Sequence, residues 1–155
     1  MSLNRRKDRM ILEFVLVILV MLIIASIIDY KSKSVPSFWL TTMILIPLIY
    51  CVITSSTTNI LYALLSFATA YLLYDFDFFK GVADIKAMTV LGFFIENYMT
   101  FFVMVIILMS IGVLWKVFWS WKFRHYNYDI PEEFPFIPVF LVTFIVVIIG
   151  GNYMI

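Results

Sequence analysis

The chain has 155 residues, of which 64% are hydrophobic and 14% are charged, and its mean hydropathy is +1.04. Because a soluble domain is about half apolar and about a quarter charged, this composition predicts a membrane protein. The net charge of +1 leaves no extended basic surface, so nucleic acid is excluded as a partner.

The N-terminal half of the chain predicts three helices joined by short polar segments. The first apolar run covers residues 10–28 and is long enough to remain as a membrane span. The polar segment 29–36 ends in a proline, which suits the first turn of a helix because its missing N–H costs nothing there. Two further apolar runs follow, over residues 38–54 and 60–74.

The C-terminal half predicts three more helical segments. The run over residues 87–95 is too short to cross a hydrocarbon layer of about 30 Å, whereas residues 99–121 are long enough. A charged loop over residues 122–133 leads to the last run, residues 134–149. We therefore expect an all-α, polytopic membrane helix bundle of about six segments, forming one domain over the whole chain with a basic tail at residues 1–9.

Basic residues favour cytoplasmic loops, and here they follow the first, third and fifth segments. Counting the turns that flank these loops, the basic residues are Lys31, Lys33, Lys80, Lys86, Lys116, Lys122 and Arg124. The basic tail favours the opposite orientation, but three loops outweigh one tail. This pattern predicts that Asp29 and Asp84 both lie at the cytoplasmic face.

The sequence lacks the parts of several common hydrolytic sites. His125 is the single histidine and Cys51 the single cysteine, so a zinc site and a disulfide framework are excluded. No GxSxG segment is present, which disfavours a serine hydrolase. We therefore expect neither a metal nor a cofactor.

Carboxylates remain as candidates, since an acid at membrane depth is costly and usually functional. Glu13 and Asp29 share a helix and lie about 24 Å apart by helical rise, so they cannot pair. Asp29 closes the first span and Asp84 opens the fourth segment, so a bundle could bring them together to share a proton. Asp75 and Asp77 are rival partners for Asp84, although a solvated loop explains them better.

Three motifs in this chain resemble those of the type IV prepilin peptidases and the archaeal preflagellin peptidases. Residues 29–36, DYKSKSVP, resemble the first aspartate motif of that family. Residues 81–92, GVADIKAMTVLG, are similar to its GxGD motif, and residues 134–140, FPFIPVF, to the start of its last span. The three occur in the family's order and together cover most of the chain.

The resemblance implies an aspartic endopeptidase that removes short basic leaders from prepilin-like or preflagellin precursors at the cytoplasmic face of the cell membrane. Asp29 and Asp84 would be the catalytic pair. Gly81, Ala83 and Lys86 would support the second motif. The residues expected to contact substrate or lipid are Lys31, Lys33 and Lys80.

Two features depart from the family pattern. Ala83 stands where the motif has its second glycine. The conformational cost of this alanine is low only if the backbone at that position is helical or extended. The chain has no cysteine-rich cytoplasmic loop, so the resemblance implies no methyltransferase activity and a compact, archaeal form. A small proton- or cation-coupled transporter and a catalytically inactive assembly subunit are the alternatives.

Overall fold

The chain folds into a bundle of helices, and the computed structural model describes residues 2–125 and 134–149, with side chains over 13–125 and 134–147. Within these ranges there are six α-helices and no strand, which confirms the predicted all-α fold. In chain order they are α1 (Ser2–Ser32), α2 (Ser37–Ile53), α3 (Thr57–Asp75), α4 (Val82–Gly92), α5 (Tyr98–His125) and α6 (Ile137–Phe144). α6 continues into a π-helical turn, Ile145–Ile149.

Several helices are longer than their apolar runs, because polar residues extend them at the ends. α1 includes most of the basic tail and continues beyond Asp29, and α5 runs on to His125. The last turn of α5 carries Lys122, Arg124 and His125, whose basic side chains interact favourably with the negative end of the helix dipole. The rest of the predicted loop, residues 126–133, lies outside the described residues.

The helix lengths and the distribution of apolar side chains suit a lipid environment. By length and composition, Glu13–Ser32 and Tyr98–His125 could each cross a membrane, and two shorter helices, Ser37–Ile53 and Ile137–Val147, are also apolar. Many large apolar side chains face outward, whereas Asp29 and Asp84 are buried. α4 has 11 residues and is about 16 Å long, so it cannot span the bilayer.

The short helix α4 lies inside the bundle, in contact with α2, α3 and α6. Its most extensive contact is with α3, where Ala63, Ser66 and Ala70 are buried. Opposite them is Gly92, where a Cβ atom would lie 2.5 Å from the Ser66 Oγ and 2.7 Å from the Ala63 Cα. Small residues on both helices thus allow the backbones of α3 and α4 to approach closely.

α1 and α6 form the second most extensive helix pair, although they lie at opposite ends of the chain. This pairing brings the end of α1 to the beginning of α6. Because α6 also packs on α4, the beginning of α4 is close to the same point. Three helix ends therefore meet at one end of the bundle.

Candidate active site

Asp29 lies near the end of α1, and its side chain is only 7% exposed. Its Oδ2 atom accepts a hydrogen bond of 2.9 Å from the backbone N–H of Ile137, the first residue of α6. The first N–H groups of a helix have no partner within that helix. The Asp29 carboxyl group on α1 thus accepts from an N–H of α6 that has no partner within α6. This hydrogen bond holds the carboxyl group in place.

Asp84 lies in the first turn of α4 and is 6% exposed. Its Oδ2 atom accepts hydrogen bonds from the backbone N–H groups of Lys80, at 3.2 Å, and Gly81, at 3.3 Å. Burial raises the pKa of Asp84 to about 7, although these two bonds and the charge of Lys116 lower it, and the charge of Asp29 raises it further. Asp84 can therefore carry a proton near neutral pH.

The two carboxyl groups line the same open cleft, whose volume is about 370 Å³ including the open solvent at its mouth. Its other walls are the turn after α1, the segment before α4 and the segment before α6. The residues that line it with Asp29 and Asp84 are Lys33, Ser34, Val35, Lys80, Gly81, Ala83, Phe134 and Phe136. The structure thus brings together two acids that are remote along the chain.

Two of the lysines singled out from the sequence lie away from this cleft. The Nζ atom of Lys86 donates hydrogen bonds to the Ser37 Oγ, at 2.6 Å, and the Thr41 Oγ1, at 3.0 Å. Lys86 therefore joins α4 to the first turns of α2. Lys31 is exposed and does not line the cleft.

The backbone of the second motif explains the alanine that departs from the family pattern. Ala83 lies inside α4, so its conformation is helical and needs no glycine. Gly81 precedes the helix with φ −140° and ψ 155°, an extended conformation open to any residue. A Cβ atom at Gly81 would meet nothing closer than the Ala83 backbone nitrogen at 3.8 Å.

The rival acids do not reach the cleft. Asp77 is exposed and pairs with Lys80 at 3.3 Å, and Asp75 is exposed at the end of α3. Glu13 is also exposed and lies about 24 Å from Asp29 along α1 by helical rise. Among the described residues, no group of three or more His, Cys, Asp or Glu side chains could hold a metal ion.

Sequence reasoning missed the donors that position the carboxyl groups. The segment FPFIPVF was noted as the start of a helix, but nothing in it indicates that the N–H of Ile137 binds Asp29. Phe136 was also missed as a wall of the cleft. Both roles depend on contacts between the two ends of the chain, which local patterns do not encode.

A helix bundle that buries two carboxyl groups in one open cleft defines a membrane protein with a candidate acid–base site. The chain belongs to the type IV leader peptidase family, whose model matches residues 16–155. This match includes both aspartates and every segment that lines the cleft, and it confirms the family predicted from the three motifs. No curated protein and no solved structure matches the chain.

Proposed function

We propose that this protein is an aspartic endopeptidase that uses Asp29 and Asp84 to remove leader peptides from prepilin-like or preflagellin precursors. Family membership supports a leader peptidase. The observation that carries the assignment of residues is the cleft, because two buried carboxyl groups from different helices line it together.

The proposed chemistry follows from two nearby acids that share a proton. A water molecule attacks the carbonyl carbon of the scissile peptide bond while the ionised Asp29 accepts the proton of that water. Asp84, which carries the shared proton, donates it to the leaving nitrogen as the carbon–nitrogen bond breaks. The apparent pKa values of this reaction belong to the pair rather than to either residue.

The substrate would be a precursor with a short basic leader followed by an apolar helix. Such a helix can enter the bilayer beside the enzyme, so that its cleavage site reaches the cleft from the side. We place the cleft at the cytoplasmic face of a chain that crosses the cell membrane several times, because the basic loops favour that orientation. Lys33 and Lys80, at the cleft, would contact lipid phosphate or the substrate.

Replacing either aspartate by asparagine tests this proposal. Asp29→Asn and Asp84→Asn keep the size of the side chain but cannot act as acid or base, so we expect each to lower the cleavage rate about 100-fold or more. The measurement is leader removal from a panel of prepilin-like and preflagellin precursors by purified protein in detergent, followed by gel mobility and mass spectrometry.

Asp75→Asn is the matched control, because Asp75 is exposed at the end of α3 and lies outside the cleft. This variant should cleave at the rate of the unmodified protein. Normal cleavage by Asp29→Asn or Asp84→Asn would refute the assignment of the catalytic pair. A protein that cleaves no precursor in the panel would favour the inactive assembly subunit.

The transporter alternative has less support. A proton path needs acids distributed through the bilayer, whereas the two buried acids of the described residues both line one cleft. Ion flux in vesicles without cleavage of any precursor would favour a transporter.

A further inference from the structure

The carboxyl groups of Asp29 and Asp84 are held in position by two segments that do not include these aspartates: the segment before α4 and the beginning of α6. Asp84 accepts the N–H groups of Lys80 and Gly81, which precede α4. Asp29 accepts the N–H of Ile137, which begins α6. A displacement of either segment would therefore move a carboxyl group.

One lysine of α5 contacts both of these segments. The Nζ atom of Lys116 donates a hydrogen bond of 2.6 Å to the backbone carbonyl of Phe78, two residues before Lys80. The same ammonium group lies 4.6 Å from the centre of the Phe78 ring and 5.8 Å from that of Phe136, next to Ile137. Lys116 thus joins the segment before α4 to the segment before α6.

Its neighbours on α5 make matching contacts. The indole N–H of Trp115 donates a hydrogen bond of 2.7 Å to the backbone carbonyl of Pro135, beside Phe136. One turn earlier, a Cβ atom at Gly112 would lie 2.7 Å from the Phe136 ring and 2.9 Å from the Phe78 ring. The surface of α5 is therefore fitted to these two rings.

We propose that Lys116 is a positioning residue, which holds the segments before α4 and α6 so that Asp29 and Asp84 face each other across the cleft. This inference rests on the proposed function. Lys116 does not line the cleft; it contacts the backbone carbonyl of Phe78 and the rings of Phe78 and Phe136, and its charge also lowers the pKa of Asp84. A cation over an aromatic ring and a charge-assisted hydrogen bond are both strong where water is scarce.

Lys116→Met tests the proposal, because methionine keeps an unbranched apolar stem but has no charge and no N–H donor. We expect kcat to fall between about 10-fold and 100-fold, since small displacements of reacting groups have effects of this size. KM should stay within about 2-fold, because Lys116 does not touch the substrate. Lys116→Arg should restore most of kcat, since a guanidinium group can both donate to the carbonyl and lie over the rings.

Lys122→Met is the matched control. Lys122 lies on the same helix, is also half-buried and places its ammonium 4.8 Å from the centre of the Trp119 ring. None of the described contacts joins Lys122 to the segment before α4 or to the segment before α6. Lys122→Met should therefore leave kcat unchanged, and an equal loss in both lysine variants would overturn the proposal as a general effect of removing charge from α5.

If Lys116→Met does not accumulate in membranes, Trp115→Phe decides the question. It removes the N–H that binds the Pro135 carbonyl and makes the ring smaller; Trp121→Phe, at an exposed tryptophan, is the control for the change of ring. A fall in kcat for Trp115→Phe alone supports positioning by α5. An unchanged kcat in Trp115→Phe or Lys116→Met, or a rise in KM alone, overturns it.

The aspartate variants separate this inference from the function on which it rests. If Asp84→Asn abolishes cleavage and Lys116→Met cleaves normally, only the role of Lys116 is wrong. If Asp84→Asn cleaves normally, the catalytic pair itself is wrong.

Discussion

At the scale of single residues, the two aspartates differ in how the backbone holds them. Asp84 binds the N–H groups that precede its own helix, so its position is set locally. Asp29 binds an N–H from another helix, so its position depends on the tertiary fold. The pair therefore combines one carboxyl group fixed by local structure with one fixed by packing.

The raised pKa of Asp84 predicts how cleavage depends on pH. Below about pH 7 the Asp84 carboxyl group keeps the proton that it donates in the proposed mechanism, and above that pH it loses this proton. We therefore expect kcat to fall as the pH rises through about 7. The charged groups that influence the pKa of Asp84 are Asp29 on α1, which raises it, and Lys116 on α5, which lowers it; the backbone N–H groups of Lys80 and Gly81 also lower it.

The measurement is kcat at saturating precursor between about pH 5 and pH 9, with Asp75→Asn as a control that should give the same profile. A kcat that keeps rising up to pH 9 would contradict the assignment of Asp84 as the acid.

At the scale of helices, the close contact between α3 and α4 sets the depth of Asp84 in the bundle. Gly92→Ala would place a methyl group 2.5 Å from the Ser66 Oγ and 2.6 Å from the Tyr62 carbonyl oxygen. We expect a loss of about 1–3 kcal/mol in the free energy of unfolding, because overpacking forces the helices apart. Thermal unfolding in detergent, followed by circular dichroism, measures it.

Gly81→Ala is the control for that experiment. Gly81 is extended and has open space around its Cα, so the free energy of unfolding should change by less than about 0.5 kcal/mol. If Gly92→Ala has the same free energy of unfolding as the unmodified protein, α3 and α4 can move apart at little cost, which would contradict this prediction.

The sequence predicted the order and type of the helices but not their ends. Apolar runs marked all six segments, yet the fourth apolar run covers residues 87–95, whereas α4 extends from Val82 to Gly92. The reason is that polar residues of the first turn, including Asp84, interrupt the apolar pattern. Gly81 was expected to support the second motif, but its extended conformation does not require glycine.

Part of the candidate site could also be predicted from the sequence. Asp29, Asp84, Lys33 and Lys80 could be named because charged residues are rare in this chain and stand at the ends of apolar runs. The contributions of α5 and α6 could not, since they come from backbone groups and from residues that resemble ordinary membrane-facing positions. Lys116 was named only as a basic residue that indicates orientation, and nothing in the sequence indicated its contacts with Phe78 and Phe136.

At the scale of the whole molecule, the bundle is apolar on its outside as well as in its core, unlike a soluble protein. Large side chains such as Leu61 and Leu114 face outward, while Asp29, Asp84 and Thr143 are buried. In lipid, the outward surface needs no cover, and the polar groups must find partners inside. The meeting of three helix ends supplies those partners and leaves the cleft at one end of the bundle.

The proposed orientation predicts which turns are accessible from each side of the membrane. In a Cys51→Ala background, Lys31→Cys in the last turn of α1 should react with an impermeant maleimide only after cells are opened. Glu96→Cys, in the turn after α4, should react in intact cells. Both positions are exposed, and Cys51, the native cysteine, is buried. The opposite labelling pattern would place the cleft outside the cell.

The hydrogen bond from Ile137 to Asp29 joins residues that are 108 positions apart. During synthesis on the ribosome, the first five helices can enter the membrane while this donor is still untranslated. The proposed hydrolytic centre therefore matures only when the final helix docks, and a nascent chain carries both acids without the geometry to cut its neighbours.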